Sequence, residues 1–531
     1  MPYRSIYPVL CTVAACLSLG NNTAQGNGFE LLLRSRPAGE AAPVKLVPQR
    51  WEAARTAVIV CDMWDAHHCL NATRRVGELA PRLDQFISQV RDAGGTVIHA
   101  PSSCMEFYKG HPARERALAV PVANPLPEGI GSWLDWIDEA EEAAGYPIDH
   151  SDGGEDDDPQ EHAAWAKELE AQGKNPRAPW TRQIGAIKID GERDFITDDG
   201  AQNWSILSNR GIENVMLVGV HTNMCVLGRP FGLRQMAKNG KNVVLVRDLT
   251  DTMYNPAMEP QVSHFEGTDL IVEHVEKFVC PTISSEQVLG GAAHSFVGDG
   301  RKHLVMMIGE KEYKTIETLP DFAKQQLSEQ FRVTFATPDP DDPNRFLGLG
   351  ALESADVLLV SVRRRALPED QLALVRKHVA AGKPVVGIRT ASHAFSLRGK
   401  PAPEGHAVWE DWDPQVFGGH YSGHHGNQLK TFAKPVGESP ILSGLDAEEF
   451  STGGSLYEVR PLEKGTTVLL EGRTEGAEDP EPVAWSFIRQ DGGRSFYSSL
   501  GHVDDFASPN FTTVLRNGIY WAAGVEVSKK N

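Results

Sequence analysis

Two three-layer α/β/α domains, each built on a mainly parallel sheet, are what this sequence predicts, and three observations carry the prediction. The chain has 531 residues, several times the ordinary single-domain size, so more than one hydrophobic core is expected. Short apolar runs alternate with amphipathic stretches at helical spacing, and strand, helix, strand in that order implies a parallel sheet. The alternation lapses over residues 290–300, where glycine and small residues crowd together, and then starts again.

Each element follows from its residues. TAVIVCD, ending at Asp62, is an apolar run too short for a helix and reads as a buried strand closed by an acid. A helical pattern from Val76 to Ala93 comes next, then the strand GTVIHA from Gly95. The pattern returns with a strand from Gly211 to Val220, a helix from Cys225 to Lys238 and a strand from Lys241 to Asp248. Reactive groups are expected at the carboxyl ends of such strands. This first domain spans residues 51–289, with residues 27–50 read as a linker before it and 290–300 as the joint after it. The second domain, residues 301–525, opens on the strand HLVMMIG at His303. It continues with a helix from Leu319 to Phe331, the strand ADVLLVS at Ala355, a helix from Glu369 to Ala381 and the strand PVVGI at Pro384.

A formal net charge of −19 argues against a nucleic-acid or anionic-membrane partner, because phosphate binding rests on clustered Lys and Arg. The short basic cluster Arg363-Arg364-Arg365 reads as a solvated loop or helix start. Seven cysteines are too few for a disulfide scaffold, and no two form a CxxC pair. Residues 1–26 hold one basic residue, Arg4, an apolar run from Ile6 to Leu19 and a polar segment, the pattern of a signal peptide. VAAC, ending at Cys16, also has the form of a lipoprotein signal. Export to the periplasm, free or anchored through Cys16, is expected, with a cytoplasmic leader as the alternative. No window of the sequence is long enough for a transmembrane span. The acidic stretch HSDGGEDDDP from His150 reads as a solvated insertion near 150–160, since its spacing does not match a calcium loop.

The block GVHTNMCV sets Cys225 after a strand and at the start of a helix. Unpaired backbone N–H groups and the helix dipole favour negative charge there, so a thiolate nucleophile is expected. Taken alone, a strand-end cysteine is as a rule a small buried apolar residue; the context argues otherwise. These residues resemble the isochorismatase-like superfamily, and within it cysteine hydrolases such as nicotinamidases and N-carbamoyl amide hydrolases, over roughly Thr56 to Val279. Asp62 in CDMWD, Lys188 between Ile187 and Ile189, and GIENVMLVGVHTNMCV running on to Asp248 carry the resemblance. It implies that Asp62 accepts the thiol proton, that Lys188 stabilises charge beside it, and that Cys225 attacks a carbonyl carbon. It further implies a cis peptide at Val220–His221, with the N–H groups of His221 and Cys225 as the oxyanion hole. Of His221 itself, only the backbone is expected to matter.

Nicotinamidases carry an Asp-x-His pair and a further histidine for a metal just after the second strand. Here that region reads HAPSSCMEFY from His99, so that metal set is absent and no cofactor is required, with a metal in either domain left open. His67 and His68 lie near Asp62, but adjacent residues seldom point the same way on regular structure. Trp64, Phe107 and Tyr108 are candidate walls of the substrate pocket, and Asp65 a support behind Asp62.

In the second half, GKPVVGIRTASHAF from Gly382 is a strand followed by a sharp turn. A class I glutamine amidotransferase carries its nucleophilic cysteine at such a turn; here Arg389 and Thr390 occupy it, and neither Thr390 nor Ser392 has a partner base in a recognisable spacing. The segment resembles the trehalose-utilisation (ThuA-like) family over about His303 to Gly524. FGGHYSGHH from Phe417, PVAW from Pro482, GRSFYSSLGH ending at His502 and ASPNFTTVLRNGIYWAAG carry this resemblance. It implies a flavodoxin/amidotransferase-like fold without a catalytic cysteine. Where the family often has an acidic pair, this chain has Gly454-Ser455 before Leu456-Tyr457. His393, His420, His424, His425 and His502 read either as a metal or sugar site at the strand ends or as loop histidines bonded to backbone.

The expected activity is cysteine-dependent hydrolysis of a small amide or carbamoyl C–N bond through a covalent acyl-enzyme, in a chain whose ThuA-like half binds a carbohydrate-like ligand. A non-catalytic small-molecule-binding protein, or catalysis by the ThuA-like half, is the alternative, and a homo-oligomer is left open.

Overall fold

The computed structural model describes residues 28–37, 44–445, 449–475, 477 and 479–527. The expected signal segment, with Cys16, lies outside the described residues.

The first sheet has eight strands: β1 (Gly28–Ser35), β2 (Lys45–Glu52), β3 (Thr56–Cys61), β4 (Thr96–Ala100), β5 (Phe195–Ile196), β6 (Asn214–Val220), β7 (Asn242–Asp251) and β8 (Thr282–Ile283), in the order β2-β1-β8-β7-β6-β3-β4-β5. From β8 to β5 all neighbours run parallel. Every residue of β3, β4 and β6 is buried, which is why they read as continuous apolar runs rather than alternating ones. Helix α1 (Leu70–Asp92) packs Leu79, Leu83, Phe86 and Ile87 on one face. Helices Gly200–Asn209, Leu233–Lys238 and His264–Phe278 close the other. The chain leaves β3 toward β4 and leaves β6 toward β7, yet β3 and β6 are neighbours. Their carboxyl ends therefore open a crevice at the point where the winding reverses.

Two expectations are corrected here. Residues 28–52 are not simply a linker: β1 and β2 pair antiparallel from Gly28↔Glu52 to Ser35↔Lys45, and Arg34↔Thr282 joins them to β8. Leu31, Leu33 and Trp51 enter the core, which only the edge of the assembled sheet makes available. The acidic stretch, exposed over 151–153 and 158–160, is not solvated throughout. The carboxylate of Asp157 accepts the N–H groups of Leu70 (2.7 Å) and Asn71 (2.6 Å) at the start of α1, where the helix dipole favours negative charge. Asp156 pairs with Arg75 of the same helix at 2.7 Å.

The second sheet has ten strands, in the spatial order Phe346–Leu347, Phe331–Pro338, Lys302–Gly309, Val357–Val362, Val385–Ile388, Arg494–Ser498, Glu481–Ile488, Thr466–Thr474, Thr431–Pro435 and Phe450–Thr452. Strands Phe331–Pro338 to Arg494–Ser498 are parallel, and the strands beyond extend the sheet antiparallel. Apolar clusters cover its two faces, completing a second three-layer domain. Residues 290–300 bond back to the first sheet's helices and strands, with His294 N–H on Asp248 (2.9 Å) and Val297 N–H on Glu78 (2.8 Å). No helix among the described residues is long and apolar enough to cross a membrane.

Candidate active site

At the crevice β3 ends in Asp62, whose φ of 45° is uncommon for a non-glycine residue and occurs chiefly where surrounding structure enforces it. After β6 the chain makes a single π-helical turn, Thr222–Val226, that carries Cys225; such turns recur at functional sites. The regular helix begins only at Leu233, so the expected helix from Cys225 onward is corrected and little dipole acts on the sulfur. Asp62 is fully buried and Cys225 is 8% exposed.

The Cys225 thiol stands beside the Asp62 carboxylate, close enough for that charge to act on the sulfur. That carboxylate also accepts Ser102 N–H at 2.7 Å and Arg229 Nε–H at 3.0 Å. Arg229 follows Cys225 by four residues, and its guanidinium lies 5.5 Å from the centre of the Trp133 ring. Burial and the Asp62 charge push the Cys225 thiol well above its usual range, with Arg229 pulling the other way. The thiolate expected from the sequence is thus corrected to a thiol, kept protonated by burial and by the neighbouring carboxylate. Burial also raises Asp62, opposed by Arg229, Cys225 and Ser102.

Lys188 is not beside this pair. It is exposed, and its backbone N–H bonds Asp84 of α1 at 2.7 Å. Its neighbour Ile187 turns into the core instead, and the cation on Asp62 is Arg229. Sequence reasoning missed Arg229, although its spacing from Cys225, about one helical turn, was the available signal.

The Val220–His221 peptide is cis, as the resemblance implied. The His221 imidazole is 2% exposed, and burial lowers it to about 4, which keeps it neutral. Trp64 stacks on Trp180 at 4.6 Å and donates its indole N–H to Ser102 O at 3.1 Å. His67 lies 5.9 Å from Trp180 and edge-on to His221 at 4.9 Å, which extends an aromatic wall. Trp180, 116 positions from Trp64 by number, had no signal in the sequence. His67 and His68 do come together, ring centres 4.0 Å apart, because no regular element separates their directions; His68 pairs with Glu155 at 3.1 Å. Asp65 binds Lys174 (3.0 Å) and Thr181 N–H (2.9 Å), so it clamps the loop that carries Trp180. Phe107 is 55% exposed under Arg182. Tyr108 is a core residue whose hydroxyl accepts Gln183 N–H at 2.9 Å. Cys69, Asp156 and Asp157 bring three potential ligand atoms within 4.8 Å of one another, but both carboxylates already serve α1 and Arg75.

In the second domain His393, His420 and His424 line one cavity of about 730 Å³. His502 stands apart, accepting Asp504 N–H at 3.2 Å beside Tyr313, and His425 N–H bonds Leu456 O at 2.9 Å. At the elbow Arg389 has φ 48°. Its guanidinium donates to the carbonyls of Ser455 (2.9 Å) and Ser499 (2.7 Å) and lies 4.2 Å from the Tyr457 ring centre. Ser392 Oγ is 3.1 Å from His393 Nδ1, but burial and the surrounding arginines depress His393 to about 2, too weak a base to activate a hydroxyl. The basic cluster is not a solvated loop: Arg364 N–H bonds His393 O at 3.2 Å, and the Arg364 side chain lines the cavity.

Fold and site together define a two-domain α/β protein whose first domain sets a cysteine against a carboxylate at a topological switch. Residues 304–522 match the model of the ThuA family, trehalose utilisation, and the second domain is a ThuA domain. No curated protein matches the chain. Among solved structures, a ThuA-like protein from Bacteroides uniformis ATCC 8492 is similar at 17% identity and a TM-score of 0.32, over 44% of this chain and 95% of its own. A cysteine hydrolase from Pseudomonas syringae pv. phaseolicola 1448A is similar at 16% identity and a TM-score of 0.26, over 45% of this chain and 94% of its own. N-carbamoylsarcosine amidase from Thermoplasma acidophilum is similar at 14% identity and a TM-score of 0.20, over 37% of this chain and 83% of its own.

Proposed function

We propose that the first domain is a cysteine-dependent hydrolase of a small amide or carbamoyl C–N bond. The observation that carries this reading is the buried Asp62 carboxylate beside the Cys225 thiol at the crevice, with Arg229 Nε–H on that carboxylate at 3.0 Å. A thiol raised by burial needs a base in contact with it, and Asp62 is that base. As the sulfur bonds to the substrate carbonyl carbon, its proton passes to Asp62, and the carbonyl π pair moves to oxygen. The N–H groups of His221 and Cys225 receive that oxyanion. Collapse breaks the C–N bond, the Asp62 proton leaves on the amine, and a thioester remains. Water, deprotonated by Asp62, then hydrolyses the thioester and frees the acid and the thiol. Arg229 holds Asp62 ionised at the start of each half, the role the sequence assigned to Lys188. The aromatic wall of Trp64 and Trp180 suits a small planar amide.

In this reading the ThuA domain holds a carbohydrate-like ligand, and the leader directs export. The test is a panel of small amides and N-carbamoyl compounds with mass spectrometry of the quenched enzyme. An acyl adduct on the Cys225 peptide, absent from Cys225→Ala, is expected; turnover that survives Cys225→Ala would remove the reading.

A further inference from the structure

We propose that the cavity lined by Arg364, His393, Arg398, Asp413 and Tyr421 binds a polyhydroxylated ligand bearing one anionic group, a carboxylate or a phosphate. This rests on the carbohydrate reading of the ThuA domain and narrows it.

The cavity stands at the carboxyl ends of strands Val357–Val362 and Val385–Ile388, where an open α/β sheet places its ligands. Its volume of about 730 Å³ lies within the range of small-molecule sites, roughly 300–1,000 Å³. One wall is basic. Arg364 and Arg398 both line it, and among the described residues no carboxylate lies within ion-pair distance of either. The Arg364 Nε–H is buried without a hydrogen-bond partner. A guanidinium left with an unpaired buried donor is costly unless a ligand supplies the acceptor. Both arginines have positive φ, 51° and 57°, an uncommon backbone for a residue with a side chain and one that clusters at ligand clamps. His393, whose ring stacks on Tyr421 at 4.4 Å, is kept neutral, so the positive charge belongs to the arginines.

The lining also holds carboxyl groups. Asp413 is 7% exposed; its Oδ2 accepts Tyr421 N–H at 2.8 Å, while its Oδ1 has no partner. Burial pushes this carboxyl up to about 7, so near neutrality it both donates to and accepts from a hydroxyl. Glu410, which accepts from Ser396 and Leu397, and Asp411 line it as well. An anion alone would leave Asp413 Oδ1 without a partner, and a neutral sugar would leave the arginine charges uncompensated, although one Arg364 N–H already reaches Ser396 O at 3.4 Å. A ligand with its charge at one end and hydroxyls at the other satisfies both.

The test is calorimetric titration of the full chain with glucuronate, glucose 6-phosphate, glucose and inorganic phosphate. Glucuronate or glucose 6-phosphate is expected to bind about tenfold or more tightly than glucose, the contribution of a charged hydrogen bond, and more tightly than inorganic phosphate. Which of the two binds separates carboxylate from phosphate. Arg364→Gln should lose that advantage. Arg398 is exposed, so Arg398→Gln, which leaves the fold intact, should lose most of it as well. Glucose binding as tightly as either anion overturns the anion site and leaves the carbohydrate reading standing; no binding by any of the four overturns both. Inorganic phosphate matching glucose 6-phosphate overturns the hydroxyl contacts assigned to Asp413.

Discussion

Replacing Arg229 by glutamine removes the cation that touches Asp62 and leaves a near-isosteric side chain in its place. Two unit charges about 4 Å apart interact by about 4 kcal/mol at an effective dielectric near 20. The Arg229 side chain is 26% exposed, so water screens part of this, and ~1–2 kcal/mol, about one pKa unit, is the working figure. Arg229 lowers both Asp62 and Cys225, so its loss raises both and reduces the thiolate fraction at any pH below the thiol's own value. The assay is alkylation by iodoacetamide followed by mass spectrometry of the Cys225 peptide, which needs no knowledge of the substrate. Arg229→Gln is expected to slow Cys225 alkylation roughly tenfold at pH 8 and to recover most of it one pH unit higher. Lys188→Gln is expected to leave the rate unchanged, because Lys188 meets Asp84 only through its backbone. A slow Lys188→Gln together with a normal Arg229→Gln would refute this assignment of the cation.

Asp251 is buried between Arg75 (2.7 Å) and His264 (2.9 Å), which hold its carboxyl well below the usual carboxylate range. Asp251→Asn should therefore cost ~3–5 kcal/mol in urea unfolding at pH 7. The folded value is depressed, so that stability is complete above the unfolded value of about 3.9. The gap between wild type and variant should accordingly narrow as pH falls below about 4. Gly219 has φ 107°, and a Cβ there would lie 2.0 Å from Cys61 O of the neighbouring strand. Gly219→Ala should cost on the order of 3 kcal/mol, read as a lower Tm or as insoluble protein. Trp64→Ala removes the stack on Trp180 and should weaken binding of a planar amide about tenfold, read as a raised KM. An unchanged KM would take Trp64 out of the substrate wall.

The strands that build the two sheets were legible because strands buried on both faces leave unbroken apolar runs, as TAVIVC and NVMLVGV do. Asp62 and Cys225 were legible for a related reason: each directly follows such a run, and parallel sheets gather strand ends at one crevice. Arg229 and Lys188 could not be told apart at that level. Which of two cations faces a buried carboxylate depends on how a turn and a loop are oriented, and the sequence carries no periodic signal for that. Charge state was lost in the same way, since helix position suggested a thiolate, whereas burial beside Asp62 favours the thiol.

By itself the sequence determined the two-sheet α/β plan and the two strand ends that carry an acid and a sulfur, because hydrophobic periodicity is local and survives in one dimension. Only the tertiary structure decided that Arg229 is the partner of Asp62, that residues 28–52 extend the sheet, that the acidic stretch caps α1, and that Arg364 and Arg398 border a cavity. Each of these is a contact between segments far apart in the chain, and its energy depends on distance and burial, which come into being only when the layers pack.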